Sequence, residues 1–225
     1  MKFAVQLIDG AKPLMENVAS CFQGDFARIR KDGDDWFLES STFNTCSNPG
    51  EVFPLADEIL RLMHRLTAIH ARLFQFCNIG YVQTFSKTGV PGARAWRATQ
   101  KVQVYSLEGL QELQKPQGKQ SIGSALVAAA MAEEKMLEAL ALIGDGDELH
   151  WAQIYNILEF LGGEKTIVKK KWATRGQVRN CRQTANHFRH LGSPMKYPLP
   201  VDHPSQGHAT SLAFDLLKKW ISGSS

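Results

Sequence analysis

The polar segment formed by residues 111–123 divides the chain into two halves of different character. It contains Pro116 and two glycines, and it separates a half with strand-like alternation from a half without that pattern. A length of 225 residues is sufficient for two domains, and a hydrophobic content of 44% is typical of a folded globular protein. The sequence therefore predicts one domain over residues 1–117 and a second over residues 118–225.

The first half combines short alternating segments with one long amphipathic helix. The strand-like segments are residues 2–8, 26–30, 36–39, 81–85 and 94–105. Gly33 lies in a predicted hairpin turn between the second and third of these. Apolar residues then recur every three or four positions across residues 55–76, which is typical of a helix that packs on one face of a sheet. We expect an α+β domain with antiparallel strands in the order β-β-β-α-β-β.

The second half has helical periodicity throughout. The predicted helices cover residues 124–143, 148–161, 175–191 and 209–221. Glycines after residues 143, 161 and 191 favour helix ends at those positions. Because four amphipathic helices can bury their apolar faces against one another, the sequence predicts an all-α antiparallel helical bundle.

Charge is distributed unevenly along this second half. Residues 121–163 contain one lysine and seven acidic residues, whereas residues 164–196 contain nine lysines or arginines and one acidic residue. A concentrated positive charge attracts anions, of which nucleic-acid phosphates are the most abundant candidates. Alternatively, the basic residues of 164–196 pair with the acidic residues of 121–163 and have only a structural role.

The third predicted helix carries most of the candidate binding residues. Thr174 is its expected N-cap, and residues 192–194 are its expected stop. Its predicted apolar face consists of Val178, Cys181, Ala185 and Phe188. The candidate nucleic-acid-binding residues, on its polar stripe and just before it, are Lys169, Lys170, Lys171, Arg175, Arg179, Gln183, Asn186 and His190.

The same helix contains an Arg-x4-His motif formed by Arg182 and His187, with the polar Gln183 directly after the arginine. Together with a closing helix that ends near Trp220, this motif resembles the signature of the HEPN superfamily of small helical bundles, over residues 120–222. The resemblance implies either a metal-independent endoribonuclease or an inactive binding or dimerisation module. In the enzyme, His187 would exchange a proton with RNA and Arg182 would stabilise charge on the phosphate.

The spacing of the motif bears on oligomeric state. Five residues on a regular helix place Arg182 and His187 about 140° apart around the axis, so one helix alone does not bring them together. A composite pocket shared by two subunits would do so, and we therefore expect a homodimer if the protein is an enzyme. The alternative is a noncatalytic interaction or accessory module, with a partner protein, in a defence or stress system.

The remaining patterns exclude several classes. The four cysteines are scattered without a C-x-x-C pair, so we expect free buried thiols and neither a metal site nor another cofactor. No apolar run reaches the roughly 18 to 20 residues that cross a bilayer, and the first residues do not resemble an export signal. The sequence thus predicts a cytoplasmic protein with no membrane association.

Overall fold

The computed structural model describes residues 2–73, 75–86, 88–96, 110–144, 148–190 and 196–224. The chain divides into two compact units, Met1–Glu134 and Lys135–Ser225. The strands of the larger sheet are β1 (Lys2–Ile8), β2 (Arg28–Asp32), β3 (Asp35–Glu39), β4 (Asn78–Phe85) and β5 (Pro91–Trp96). The helices of the first unit are α1 (Lys12–Cys21), α2 (Pro49–Ala71), α3 (Leu110–Gln114) and α4 (Ile122–Ala132).

The five strands form one antiparallel sheet in the order β2-β3-β1-β4-β5. The central strand β1 pairs with β3 and with β4, and Val5 lies opposite both Leu38 and Val82. With α1 between β1 and β2, and α2 between β3 and β4, the first four strands have the split β-α-β connectivity of ferredoxin-like domains. Strand β5 extends that sheet as a hairpin partner of β4.

The core of the first unit lies between this sheet and its helices. Helix α2 contacts β1 and β4, and helix α1 contacts β2. The side chains of Val5, Leu38 and Val82 are fully buried, as are Ile59 and Leu66 on α2. Asn48 caps the start of α2, and Arg72 ends it in a left-handed conformation. The predicted α+β class and its antiparallel strands are confirmed.

The order of elements differs from the predicted β-β-β-α-β-β, because residues 1–117 also contain the helices α1 and α3. Helix α1 lies between the first two strands, where no helix was predicted, and it buries Leu14, Met15, Val18 and Cys21. Its ten residues include Pro13 in the first turn. The pattern is short, and a proline inside the start of a helix resembles a turn signal when only the sequence is considered. The predicted strand over residues 94–105 lies largely outside the described residues.

The division between the units falls after Glu134, whereas the sequence predicted it after residue 117. The two-residue strands β6 (Pro116–Gln117) and β7 (Gln120–Ser121) form a hairpin that leads into α4, and α4 contacts α1, α2 and α3. The Ser121 hydroxyl donates a hydrogen bond to the Cys21 carbonyl and accepts one from the Gln23 amide at 2.9 Å. These contacts attach the polar segment to the first unit.

The predicted helix over residues 124–143 is two helices, because Glu133 has extended dihedrals between them. Helix α5 (Glu134–Ala141) follows, and the second unit continues with α6 (Trp151–Phe160), α7 (Gly163–Lys169), α8 (Arg175–Arg189) and α9 (Gln206–Ser224). Helix α6 contacts α7, α8 and α9. The buried side chains of the second unit include Ile154, Ile157, Leu158, Val178, Phe214 and Leu217. No helix among the described residues is long and apolar enough to cross a bilayer.

Candidate nucleic-acid interface

Helix α8 begins where its capping chemistry predicts. The Gln177 amide donates a hydrogen bond to the Thr174 hydroxyl at 3.3 Å, and the Thr174 amide donates one to the Gln177 side chain at 3.0 Å. This reciprocal capping box satisfies two amides that would otherwise lack partners. The helix runs to Arg189, and His190 is its C-cap. The predicted last residue, Leu191, lies outside the described residues.

The predicted apolar face of α8 is buried at three of its four positions. Val178, Cys181 and Ala185 are buried, and burial raises the pKa of the Cys181 thiol to about 12. Phe188 was predicted on this face, but 36% of its surface is exposed. Its ring stacks on Trp151 of α6, with the ring centroids 5.1 Å apart. The apolar face therefore ends one turn before the helix does.

The basic candidates lie at the end of α7 and along α8. Lys169 is the last residue of α7, and Lys170 and Lys171 follow it in the turn before α8. Arg175, Arg179 and Gln183 are exposed on α8, whereas Asn186 and His190 are half-buried. We define the basic segment as the exposed cations from α7 to the first half of α8, which are Lys165, Lys169, Lys170, Lys171, Arg175 and Arg179; Arg189, the last residue of α8, is also exposed but is not part of this segment.

Few of these cations are neutralised by acidic side chains. Arg175 pairs with Glu164 at 3.3 Å, and Arg182 pairs with Glu159 at 2.9 Å. Within the described residues, the other cations of the basic segment form no ion pair. Of the acidic residues in segment 121–163 that the structure describes, only Glu159 pairs with a cation of this helix. Among these residues, pairing between the two segments accounts for little of the positive charge.

Arg182 is directed towards α6. Besides its ion pair with Glu159, its guanidinium carbon lies 5.8 Å from the centre of the Tyr155 ring. Tyr155 and Glu159 both favour the charged guanidinium and raise its pKa. About 40% of the side chain remains exposed. Arg182 can therefore contact a surface ligand, but only while it also contacts α6.

His187 is directed towards a different part of the unit. Its Nδ1 lies 2.7 Å from the backbone oxygen of Tyr197. Because a carbonyl oxygen can only accept a hydrogen bond, Nδ1 carries the proton, and Nε2 is the acceptor in the neutral ring. Arg182 and His187 thus contact different partners, in keeping with their predicted separation around the helix. Within one chain, the described contacts of Arg182 and those of His187 involve different residues.

Comparisons with protein-family models, with curated proteins and with solved structures find no match for this chain. Among the described residues, no three His, Cys, Asp or Glu side chains are placed to hold a metal ion. The chemistry of α6, α7 and α8 is therefore the basis for the proposed function.

Sequence reasoning missed the aromatic residues beside the candidate site. Trp151 and Tyr155 are one turn apart on α6, a spacing that indicates core packing when α6 is considered alone. In the structure they face Phe188 and Arg189 of α8. The periodicity of one helix cannot predict these contacts between α6 and α8, because they depend on how the two helices pack against each other.

Proposed function

We propose that the protein binds RNA through the basic segment, and that its second unit is a HEPN-like helical bundle. The observation that carries the proposal is a set of exposed cations that form no ion pair with any residue the structure describes: Lys165, Lys169, Lys170, Lys171 and Arg179. Exposed like charges this close in sequence repel one another, and a polyanion relieves that repulsion. All four cysteines are free thiols, and Cys21, Cys77 and Cys181 are buried as expected, whereas Cys46 is half-buried; free thiols fit the reducing cytoplasm in which we propose that the protein acts.

Binding of this kind depends on salt, because each phosphate that a cation neutralises releases condensed counterions. A single strand loses affinity with a slope of about −0.7 per contacted phosphate in a plot of log affinity against log salt. Lys169, Lys170 and Lys171 are consecutive and exposed, so they can contact adjacent phosphates. They are therefore expected to account for a measurable part of the slope.

Replacing Lys169, Lys170 and Lys171 together by glutamine is expected to reduce the salt slope by about 2 and to weaken RNA binding by about tenfold or more at low salt. The measurement is fluorescence polarisation with a labelled RNA oligonucleotide between about 50 and about 200 mM salt. The matched control replaces Lys12, Lys31 and Lys119 of the first unit by glutamine, which changes the net charge equally. Equal losses in both variants, or no binding by the wild type at low salt, would contradict the proposal.

The hydrogen bond from His187 to the Tyr197 oxygen favours a second candidate function, metal-independent cleavage of RNA. With Nδ1–H bonded to the Tyr197 oxygen, Nε2 can take the proton of a ribose 2′-hydroxyl. The resulting alkoxide attacks the adjacent phosphorus, and the 5′-oxygen leaves with its electron pair and takes up a proton. The product is a 2′,3′-cyclic phosphate. Arg182, from the same chain or from a second copy, would stabilise the charge on the phosphate.

We expect this activity to persist in EDTA and to disappear in the His187→Ala and Arg182→Ala variants. His203→Ala is the control, because His203 is an exposed histidine of the same unit. The products would be analysed for terminal 2′,3′-cyclic phosphate, and sedimentation with and without RNA would test for a dimer. Salt-sensitive binding without cleavage, by a protein that stays monomeric, would leave a noncatalytic binding or accessory module as the function.

A further inference from the structure

Aromatic side chains from α6 and α8 meet beside the candidate site. The rings of Trp151 and Phe188 are nearly parallel, at 12°, with centroids 5.1 Å apart. One turn further along α6, Tyr155 lies under the guanidinium of Arg189, whose central carbon is 4.0 Å from the ring centre. We call Trp151, Tyr155 and Phe188 the aromatic edge.

The aromatic edge is not part of the core of the second unit. The core positions of the same two helices, among them Ile154, Ile157 and Ala185, have no exposed surface. In contrast, Phe188 is 36% exposed, and Trp151 and Tyr155 are half-buried. Trp and Tyr are enriched at interfaces, and partly exposed rings keep apolar surface available to a ligand.

The charge beside these rings indicates the class of ligand. Arg189 is exposed and forms no ion pair with the acidic side chains that the structure describes. The charge of Arg182, by contrast, is compensated by Glu159. Flat π surfaces next to an uncompensated guanidinium fit a ligand in which flat rings alternate with negative groups. Single-stranded nucleic acid has that chemistry.

We infer that the aromatic edge is a base-stacking site for single-stranded RNA. The inference rests on the proposed function and names its substrate: phosphates contact the basic segment, and unpaired bases stack at Trp151 and Phe188. Arg189 is next to Phe188 and can contact the phosphate of a base stacked there, whereas Arg179 is nine residues earlier, about 180° around the α8 axis, so a strand that reaches both has to pass around the helix. Duplex RNA covers the faces of its bases, so the site selects single strands.

His187 connects this site with the second candidate function. Its ring contacts Phe188 edge to face, with centroids 5.2 Å apart. A base stacked at Phe188 would carry its ribose close to that imidazole. The aromatic edge would then place the sugar next to the proton acceptor, while the bond from Nδ1 to the Tyr197 oxygen keeps the ring oriented.

The test compares Phe188→Leu, which keeps an apolar side chain but removes the ring, with the wild type. Loss of a stacked base is expected to weaken binding of a labelled single-stranded RNA by about 5- to 100-fold, with the salt slope unchanged. Phe188→Trp should retain the affinity. The matched control is Phe160→Leu, because Phe160 is a half-buried ring of α6 that packs against Trp220 instead. That variant should bind as the wild type does.

A second measurement does not depend on the folding of the Phe188 variant. RNA binding should quench part of the intrinsic tryptophan fluorescence, and Trp151→Phe should lose that part of the quenching. Three results would overturn the inference without contradicting the proposed RNA binding. The first is unchanged binding by Phe188→Leu, and the second is an equal loss of affinity for single-stranded and duplex RNA. The third is binding of polyglutamate with the same dependence on Phe188. If the wild type binds no RNA at low salt, the proposed function fails as well.

Discussion

Replacing Gly123 by alanine is expected to lower the free energy of unfolding by about 3 kcal/mol or more. Gly123 is the second residue of α4, and a β-carbon built on it would overlap the carbonyl oxygen of Cys21. Since a backbone oxygen cannot rotate away as a flexible side chain can, either α4 or the end of α1 has to move. Such a movement would also disturb the hydrogen bonds from Ser121 to the Cys21 carbonyl and from Ser124 to the Ala27 carbonyl.

The sign of this effect is opposite to that expected from helix propensity. Alanine in place of glycine favours an exposed helix by about 1 kcal/mol. Gly207 provides the matched control, because it is the second residue of α9 and has only ordinary van der Waals contacts around an added β-carbon. In urea denaturation followed by circular dichroism, Gly123→Ala should lower the midpoint, whereas Gly207→Ala should leave it unchanged or raise it. A neutral Gly123→Ala variant would contradict the packing described for α4.

Local patterns predicted the elements whose signals lie within a few residues. Strand β1 was predicted with the bounds that it has, and the start of α8 followed from the cap at Thr174. The hairpin around Gly33 likewise followed from its turn residue, which has a positive φ of 62°. In these cases one short-range interaction determines the structure, so the sequence alone is enough to find it.

Elements that depend on distant contacts were not predictable. The segment before α4 has the composition of a linker, yet Ser121 uses its hydroxyl to join the Cys21 carbonyl and the Gln23 amide, about a hundred positions earlier. Ser121 therefore satisfies backbone groups in the interior, although most other polar residues of the segment are exposed, as their composition indicates. The break at Glu133 in the predicted helix 124–143 has no local signal either, since helix propensity there is high on both sides.

The candidate site likewise has some features that the sequence predicted and others that it could not predict. The exposed cations of the basic segment, and the burial of Val178 and Cys181, follow from charge and from helical periodicity. The contact of Arg182 with Glu159 and Tyr155, and the stacking of Phe188 on Trp151, follow only from the alignment of α6 with α8. The sequence could thus indicate where an anion would bind, but not which rings lie beside it.

The stability of the protein is expected to fall by about 2 kcal/mol between pH 7 and pH 5 because of His64 alone. His64 lies on α2 with its ring edge to face against Phe76, at a centroid distance of 4.5 Å. His64 is half-buried, and desolvation of its ring lowers its pKa from 6.5 to about 3, because the charged imidazolium would lose much of its hydration. His64 Nε2 has no hydrogen-bond partner in the described structure, which agrees with a neutral ring.

The sign follows from the number of protons that each state binds. Between the two pKa values the unfolded chain protonates His64 and the folded chain does not, so acid favours unfolding. The loss therefore begins below about pH 6.5 and continues until the pH approaches about 3, where the folded state also takes the proton.

His64→Leu removes the group while keeping an apolar side chain. Urea denaturation of both proteins at a series of pH values isolates the effect, because all other titrating groups cancel in the difference. The wild type should lose about 2 kcal/mol more than His64→Leu between pH 7 and pH 5. Parallel pH profiles for the two proteins would show that the imidazole is accessible to protons in the folded state.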